Sequence, residues 1–92
     1  MARKKKQVKF KLNVPEAGSV YIAGDFNGWD TRSHPLRPDK RGETGEIWQR
    51  IVYLEPGAYE YRFIVDDQWC DDPDSMERRA NDFGCYNCVI RV

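Results

Sequence analysis

An alternation of apolar and polar side chains is the feature that most restricts how this chain can fold. From Val8 to Val14 every second side chain is apolar, and every second side chain from Tyr59 to Val65 is again aromatic or β-branched. This period of two is typical of strands with one buried face, because successive strand side chains point to opposite faces of a sheet. No stretch of 11 residues has helical periodicity. Short strands separated by Gly and Pro turns therefore predict an all-β sandwich.

The same pattern gives approximate bounds for the strands and predicts which side chains form the core. Strands are predicted at 8–14, 19–23, 47–54, 58–66 and 85–92. Between them we predict a loop at 25–30, a long surface connection at 31–46, and a polar segment at 71–84 with one helical turn at Ser75–Arg79. The apolar strand faces predict a core of Val8, Phe10, Leu12, Val20, Ile22, Tyr59, Tyr61, Phe63, Val65, Tyr86 and Ile90, with Trp48 in or beside it.

Length and charge exclude several classes of protein. A chain of 92 residues suits one small domain, and we assign 1–7 to a mobile basic N-terminus and 8–92 to the sandwich. The 15 basic and 15 acidic residues balance to zero, which argues against a dedicated nucleic-acid binder. No apolar run approaches the ~18 residues that cross a bilayer, and none follows the basic start. We therefore expect a cytoplasmic protein without membrane or nucleic-acid partners.

Metal, cofactor and redox chemistry are not expected. The three cysteines are Cys70, Cys85 and Cys88, and an odd number does not suit a disulfide framework, although any single disulfide stays open. The Cys85-x-x-Cys88 pair has no second pair to complete a zinc site, and His34 is the single histidine. In a strand, the two thiols of such a pair point to opposite faces.

Catalysis is not expected either. The acidic residues between Asp66 and Asp82 fall in turns, where Asp is favoured for local backbone hydrogen bonds, Asp66 among them. No catalytic triad surrounds His34, and no glycine-rich loop opens a helix that could bind phosphate. We therefore predict a protein that is not an enzyme.

Two tryptophans are placed where a core residue is not expected. Trp29 and Trp69 both lie in polar, turn-rich segments. Each could be a lid over one end of the sandwich or a platform for a ligand with an apolar face. Sugars suit the second interpretation, because a pyranose ring has a face of C–H bonds that stacks on indole. Their hydroxyls need fixed donors and acceptors, which Arg62, Asp66 and Asn87 could supply.

Three segments together resemble a known family. They are Val20–Trp29 (VYIAGDFNGW), Leu54–Trp69 (LEPGAYEYRFIVDDQW) with the following Asp72-Pro73, and Asn81–Gly84 with Asn87 and Val89. In order and spacing they resemble the family 48 carbohydrate-binding modules over residues 8–92. The chain is similar to the glycogen-binding domain of the AMP-activated protein kinase beta subunit. It is also similar to the modules that precede the catalytic domains of glucan branching and debranching enzymes.

The resemblance implies an immunoglobulin-like, early-set β-sandwich that binds α-1,4-glucans such as glycogen, starch or maltooligosaccharides. By position it implies these carbohydrate-binding residues: the stacking residues Trp29 and Trp69, the hydrogen-bonding residues Arg62 and Asn87, the apolar Phe83, and Cys85. Arg62 replaces a lysine, Phe83 a leucine and Cys85 a threonine, and the cysteine removes a hydroxyl. Asp67 replaces the glycine of a tight turn.

One alternative to simple glucan binding stays open. The same sandwich could be a protein-interaction or accessory module associated with a kinase subunit or with a glucan-branching or debranching enzyme. The response of tryptophan fluorescence to maltoheptaose would separate the two functions.

Overall fold

The computed structural model describes residues 4–14, 16–38 and 47–92, and the fold it shows is all-β. The elements are β1 (Lys6–Asn13), β2 (Val20–Gly24), a 3-10 turn (Asp25–Asn27), β3 (Arg37–Pro38), β4 (Ile47–Leu54), β5 (Ala58–Val65), β6 (Gln68–Cys70), β7 (Arg78–Ala80) and β8 (Tyr86–Arg91). Within these ranges, no helix has the length and apolar character needed to span a membrane.

Two antiparallel sheets form the sandwich, which confirms the predicted immunoglobulin-like class. The first sheet has the order β1-β4-β3, and β1 pairs with β4 along its whole length. The second has the order β2-β5-β8-β7. One edge of β5 pairs with β2, while its other edge is shared by β8 at residues 58–61 and β6 at residues 63–65. The end of β6, where Cys70 pairs with Phe63, therefore lies nearest to β8, which pairs with β5 up to Tyr61.

The core lies between the sheets and contains most of the inward side chains that alternation predicted, together with four buried residues that were not predicted, Leu36, Val52, Leu54 and Cys88. Phe10 and Leu12 of β1 face Ile22 and Phe63 of the second sheet, and each of these four is at most 4% exposed. Val8, Trp48, Tyr59, Val65 and Ile90 pack against this cluster while remaining partly exposed.

The predicted core residue Tyr86 is wrong, because its side chain is 57% exposed. It begins β8 and pairs with Ala80 of the edge strand β7, at the margin of the sandwich. Cys88, two residues further along, is the β8 side chain that is completely buried. Tyr86 and Cys88 lie on the same face of β8, as alternation predicts. Only Cys88 lies far enough along the strand to be covered by the opposite sheet.

The segment predicted as a surface connection at 31–46 contributes to the core. Leu36 is 3% exposed, and its backbone N–H donates to the Val20 carbonyl at 2.8 Å. Arg37 and Pro38 then pair with β4, so this segment crosses from one sheet to the other. A single apolar residue between two prolines has no periodic pattern to reveal it. Residues 39–46 of the predicted connection lie outside the described residues.

The predicted helical turn at Ser75–Arg79 is also wrong. The Ser75 hydroxyl donates to the Glu77 carbonyl, and Arg78–Ala80 forms the edge strand β7 against β8. All three residues of this strand are exposed, so no alternation marks it. At the other end of the chain β1 begins at Lys6, two residues before the predicted domain start, and residues 1–3 lie outside the described residues.

Candidate functional site

An open groove of about 710 Å³ lies on the outer face of the second sheet. Its floor consists of the side chains of β5, β7 and β8 that alternate with the core residues, such as Glu60, Arg62 and Asn87. Trp69 joins them because β6 pairs Trp69 with Ile64, which has the same parity as Arg62. All six residues that the family resemblance implied line this one groove: Trp29, Arg62, Trp69, Phe83, Cys85 and Asn87.

Trp29 is presented by a turn with two consecutive residues in the left-handed conformation. Gly28 has φ 65° and Trp29 has φ 59°. Glycine adopts this conformation without cost, whereas Trp29 is held there by the bond from its backbone N–H to the Gly24 carbonyl at 3.0 Å. Its indole N–H donates to Asp25 Oδ1 at 3.1 Å, and Asp25 Oδ2 accepts the Glu60 backbone N–H at 2.9 Å. Asp25 thus ties the ring to β5.

Trp69 follows the tight turn between β5 and β6. Asp66 and Asp67 both have positive φ, at 47° and 66°, and Asp tolerates this region better than most residues do. The Asp66 carboxylate accepts the backbone N–H groups of Gly18 and Ser19, both at 2.9 Å, as expected of a turn-stabilising residue. The turn reverses the chain at once, and the Trp69 side chain is 49% exposed above the sheet.

The two indoles converge on the groove. Their centroids are 6.5 Å apart and their planes are inclined at 55°. Both belong to the groove lining and neither to the buried core cluster, so they are not lids over the sandwich. The Arg62 guanidinium carbon lies 5.5 Å from the centre of the Trp69 ring. Its Nε and one terminal nitrogen both lie 3.1 Å from Asp71 Oδ1, which holds the cation against the indole.

A polar network fixes the orientation of Asn87, which is 9% exposed at the floor of the groove. Its amide nitrogen donates to Glu60 Oε1 at 3.2 Å, and its oxygen accepts from the Asn81 amide at 3.0 Å. Arg79 also contacts Glu60, at 3.4 Å. Because an amide has two N–H groups and two lone pairs, Asn87 keeps one donor and one acceptor for a ligand.

The loop before β8 holds Phe83 away from the protein. Asn81 Oδ1 accepts the backbone N–H groups of Phe83 at 2.9 Å and Cys85 at 3.1 Å. The loop is therefore ordered by its own hydrogen bonds, although Phe83 is 91% exposed. A large aromatic side chain kept in water at the rim of a groove is typical of a surface that contacts a ligand.

The residues that orient the site were not predicted. Asp25, Glu60, Asp71, Arg79 and Asn81 act through hydrogen bonds to partners far away in the chain or in a neighbouring loop. Glu60 lies two residues before Arg62 in β5, so strand alternation could have placed its side chain on the same outer face. The other four residues lie outside regular alternation or in a strand that was not predicted.

The cysteines behave as their strand position predicts. Cys85 is exposed, Cys88 is buried, and all three thiols are free. Burial and the neighbouring Asp71 raise the pKa of the Cys70 thiol, which favours the protonated form. In the part of the chain that the structure describes, no three His, Cys, Asp or Glu side chains form a cluster suited to a metal ion.

Among known protein families, one matches nearly the whole chain. A family model described as the glycogen recognition site of AMP-activated protein kinase matches residues 6–92. The chain belongs to this family. The match confirms the predicted resemblance over the whole sandwich, and it identifies the chain as a carbohydrate-binding module of a non-catalytic kind.

Individual relatives are much longer than this chain. It is 39% identical over 77 residues to a 1,4-alpha-glucan branching enzyme of Rhodopirellula baltica, covering 77% of this chain and 10% of the relative. A branching enzyme of Xanthomonas campestris pv. campestris is 40% identical over 62 residues, covering 65% and 8%. Protein PTST homolog 2, chloroplastic, of Arabidopsis thaliana is 42% identical over 57 residues, covering 62% and 10%. The chain thus spans a tenth or less of the length of these relatives.

Proposed function

We propose that this chain binds α-1,4-glucan (glycogen, starch or maltooligosaccharide) in the groove on its second sheet, without catalysing a reaction. The single observation that supports this most directly is the convergence of Trp29 and Trp69, 6.5 Å apart, on one open surface. Membership of a glycogen-recognition family supports the same ligand class.

The inclination between the indoles suits a curved chain of sugars. Each glucose ring offers a face of C–H groups that can lie on an indole. The α-1,4 linkage turns successive rings relative to one another, so two planes inclined at 55° can each receive a different glucose unit. A flat β-1,4-linked chain would not meet both planes.

Hydroxyl groups at the edges of the rings find fixed partners in the same groove. Arg62 uses its Nε and one terminal nitrogen on Asp71 and retains other N–H donors. Asn87 retains one donor and one acceptor. Phe83 adds an apolar contact at the rim, and the Cys85 thiol lies beside it as a weak hydrogen-bonding group.

Binding of this kind should be moderate and insensitive to salt. Apolar contact on two indoles contributes roughly 25 cal/mol for each Å² buried, while association entropy and hydroxyl desolvation oppose it. We expect a dissociation constant between roughly 1 µM and 1 mM. The ligand is uncharged, so the constant should change little between low and high salt.

The test is a titration of the whole chain with maltoheptaose, followed by tryptophan fluorescence and calorimetry, with cellohexaose as the matched β-linked control. The proposal expects a saturable fluorescence change with maltoheptaose in the stated range, and at least tenfold weaker binding of cellohexaose. No binding of maltoheptaose at millimolar concentration would contradict glucan binding. Equal binding of both sugars would contradict the α-linked specificity.

A second function is favoured by the outer face of the first sheet. Ile47, Ile51 and Tyr53 of β4 are 42%, 41% and 60% exposed, and Ile51 pairs with Lys9 of β1 in the sheet. This face is remote from the groove, because the two sheets expose opposite sides of the sandwich. We propose that it attaches the module to a glucan-branching or debranching enzyme or to a kinase subunit while the groove stays free.

This second function is tested with a purified glucan-branching enzyme from the same source. Sedimentation should show a complex that Ile51→Lys disrupts and Trp69→Ala leaves intact. A complex that is lost with Trp69→Ala, or the absence of any complex, would contradict docking through the first sheet.

A further inference from the structure

A second depression of about 290 Å³ lies against Trp69. Its lining consists of Tyr21, Thr31, Arg32, Ile64, Asp67 and Trp69. Trp69 also lines the main groove, so its half-exposed indole borders both the groove and the second depression. None of the six residues implied by the family resemblance, apart from Trp69, belongs to the second depression.

The depression is lined by residues of two paired strands and of two loops. Tyr21 and Ile64 are cross-strand partners of β2 and β5, and Ile64 is paired on its other side with Trp69. Arg32 and Asp67 come from two different loops at the rim, and both are exposed. Among the described residues, neither side chain forms a hydrogen bond or an ion pair, so both have free hydrogen-bonding capacity.

We propose that this depression is a second glucose subsite, which binds the units of the same α-glucan chain that continue past Trp69. The inference rests on the proposed function of the main groove. On the groove side, Trp69 has Trp29 and Arg62 as neighbours, at 6.5 Å and 5.5 Å. A glucan chain that rests on this indole and extends past it enters the depression directly.

The chemistry of the lining matches a neutral sugar better than an ion. Arg32 and Asp67 balance in charge, so the rim does not concentrate either anions or cations. Their guanidinium and carboxylate groups can bond to neighbouring hydroxyls as donor and acceptor. Tyr21 and Ile64 supply the apolar surface beneath, as in sugar sites generally.

If the depression is a subsite, longer glucans should bind more tightly than short ones, and this difference should depend on the residues that line the depression, such as Arg32. Calorimetric titrations of the whole chain with maltotriose and maltoheptaose should show maltoheptaose bound at least about fivefold more tightly. In Arg32→Ala this advantage should fall to about twofold or less, with maltotriose affinity changed by less than about twofold. Arg37→Ala, an exposed arginine of the first sheet, is the matched control and should keep the wild-type ratio.

Chemical shifts of backbone amides in the wild-type protein provide a second measurement that needs no variant. The amides of Thr31 and Arg32 should move with maltoheptaose and stay unchanged with maltotriose, while that of Asn87 moves with both. The proposal is overturned if Arg32→Ala keeps the full advantage of maltoheptaose, or if it weakens both sugars equally. If the wild-type protein binds neither sugar, it is the proposed function that fails.

Discussion

The indole of Trp29 lies 6.5 Å from the indole of Trp69 and is inclined to it by 55°. One ring is held by the turn after β2 and the other by the short strand β6. The two are brought together because β2 and β6 pair with the two edges of the same strand, β5. The proposed carbohydrate site therefore lies on the second sheet, and the first sheet packs against the opposite face of that sheet.

Trp69→Ala should weaken maltoheptaose binding at least tenfold, because one stacking platform is expected to contribute more than ~1.4 kcal/mol. The protein should unfold at nearly the wild-type temperature, since Trp69 is 49% exposed and outside the core. Calorimetry and thermal unfolding measure the two quantities. Tyr53→Ala removes an aromatic side chain of the other sheet that is 60% exposed, and it should leave affinity unchanged. Wild-type affinity in Trp69→Ala would exclude this ring from the site.

Asp71→Ala should weaken glucan binding about threefold, by releasing the Arg62 guanidinium from its position over Trp69. Arg62→Ala should cost more, about tenfold, because it also removes donors to the sugar. Stability should change little in Asp71→Ala, since the Asp71 side chain is 42% exposed and solvent screens the pair. Calorimetric titration of both variants measures this order, and a larger loss in Asp71→Ala than in Arg62→Ala would contradict it.

Asp25→Ala should reduce both affinity and stability. Its carboxylate accepts the Trp29 indole N–H and the Glu60 backbone N–H, and losing such bonds typically costs about 1 kcal/mol each. Denaturant unfolding and glucan titration measure the two losses. Asp25→Asn, which keeps one acceptor oxygen, should be intermediate. An Asp25→Ala protein with unchanged affinity would show that Trp29 needs no external support.

Tyr61→Phe should destabilise the protein by roughly 1–3 kcal/mol at neutral pH, because it leaves the buried Asp72 carboxylate without its 2.6 Å donor. Burial and the bond to Asp72 raise the pKa of Tyr61 far above its usual value. The unfolded chain loses this proton above about pH 10 while the folded chain keeps it, so the stabilisation is present below pH 10 and falls as pH rises. Denaturant unfolding at pH 7 to 11 should therefore show the two proteins converging above pH 10. A constant difference would exclude this coupling.

His34 should make stability depend on pH between 7 and 5. Burial and the nearby Arg50 lower the pKa of His34. Its Nδ1 lies 2.8 Å from the Ser33 hydroxyl and 3.1 Å from the Asn27 amide, a donor that requires an unprotonated ring nitrogen. The stabilisation is therefore present above the unfolded pKa of about 6.5 and lost as pH falls below it. His34→Phe should have a flatter profile in thermal unfolding, and an identical slope in both proteins would contradict the assignment.

Local pattern predicted the parts of the fold that depend on neighbours in the chain. The period of two placed Phe10, Leu12, Tyr61 and Phe63 inside, because strand side chains alternate whatever the sheet order. The wrong predictions also have structural reasons. Tyr86 has the correct parity but lies beyond the covered part of its sheet, and the short, fully exposed strand β7 has no pattern at all.

Sequence motifs indicated which residues form the candidate site, but they did not indicate how these residues are arranged in space. The sequence by itself placed Trp29 and Trp69 in polar, turn-rich segments, since the turn residues around them have local preferences, and it left open whether each ring was a lid over the sandwich or an exposed platform. Only the tertiary structure decided that both rings open on one groove, that Asp25 and Asp71 hold Trp29 and Arg62, and that a second depression lies beyond Trp69. These outcomes depend on strand register and on contacts between distant segments, which no local preference determines.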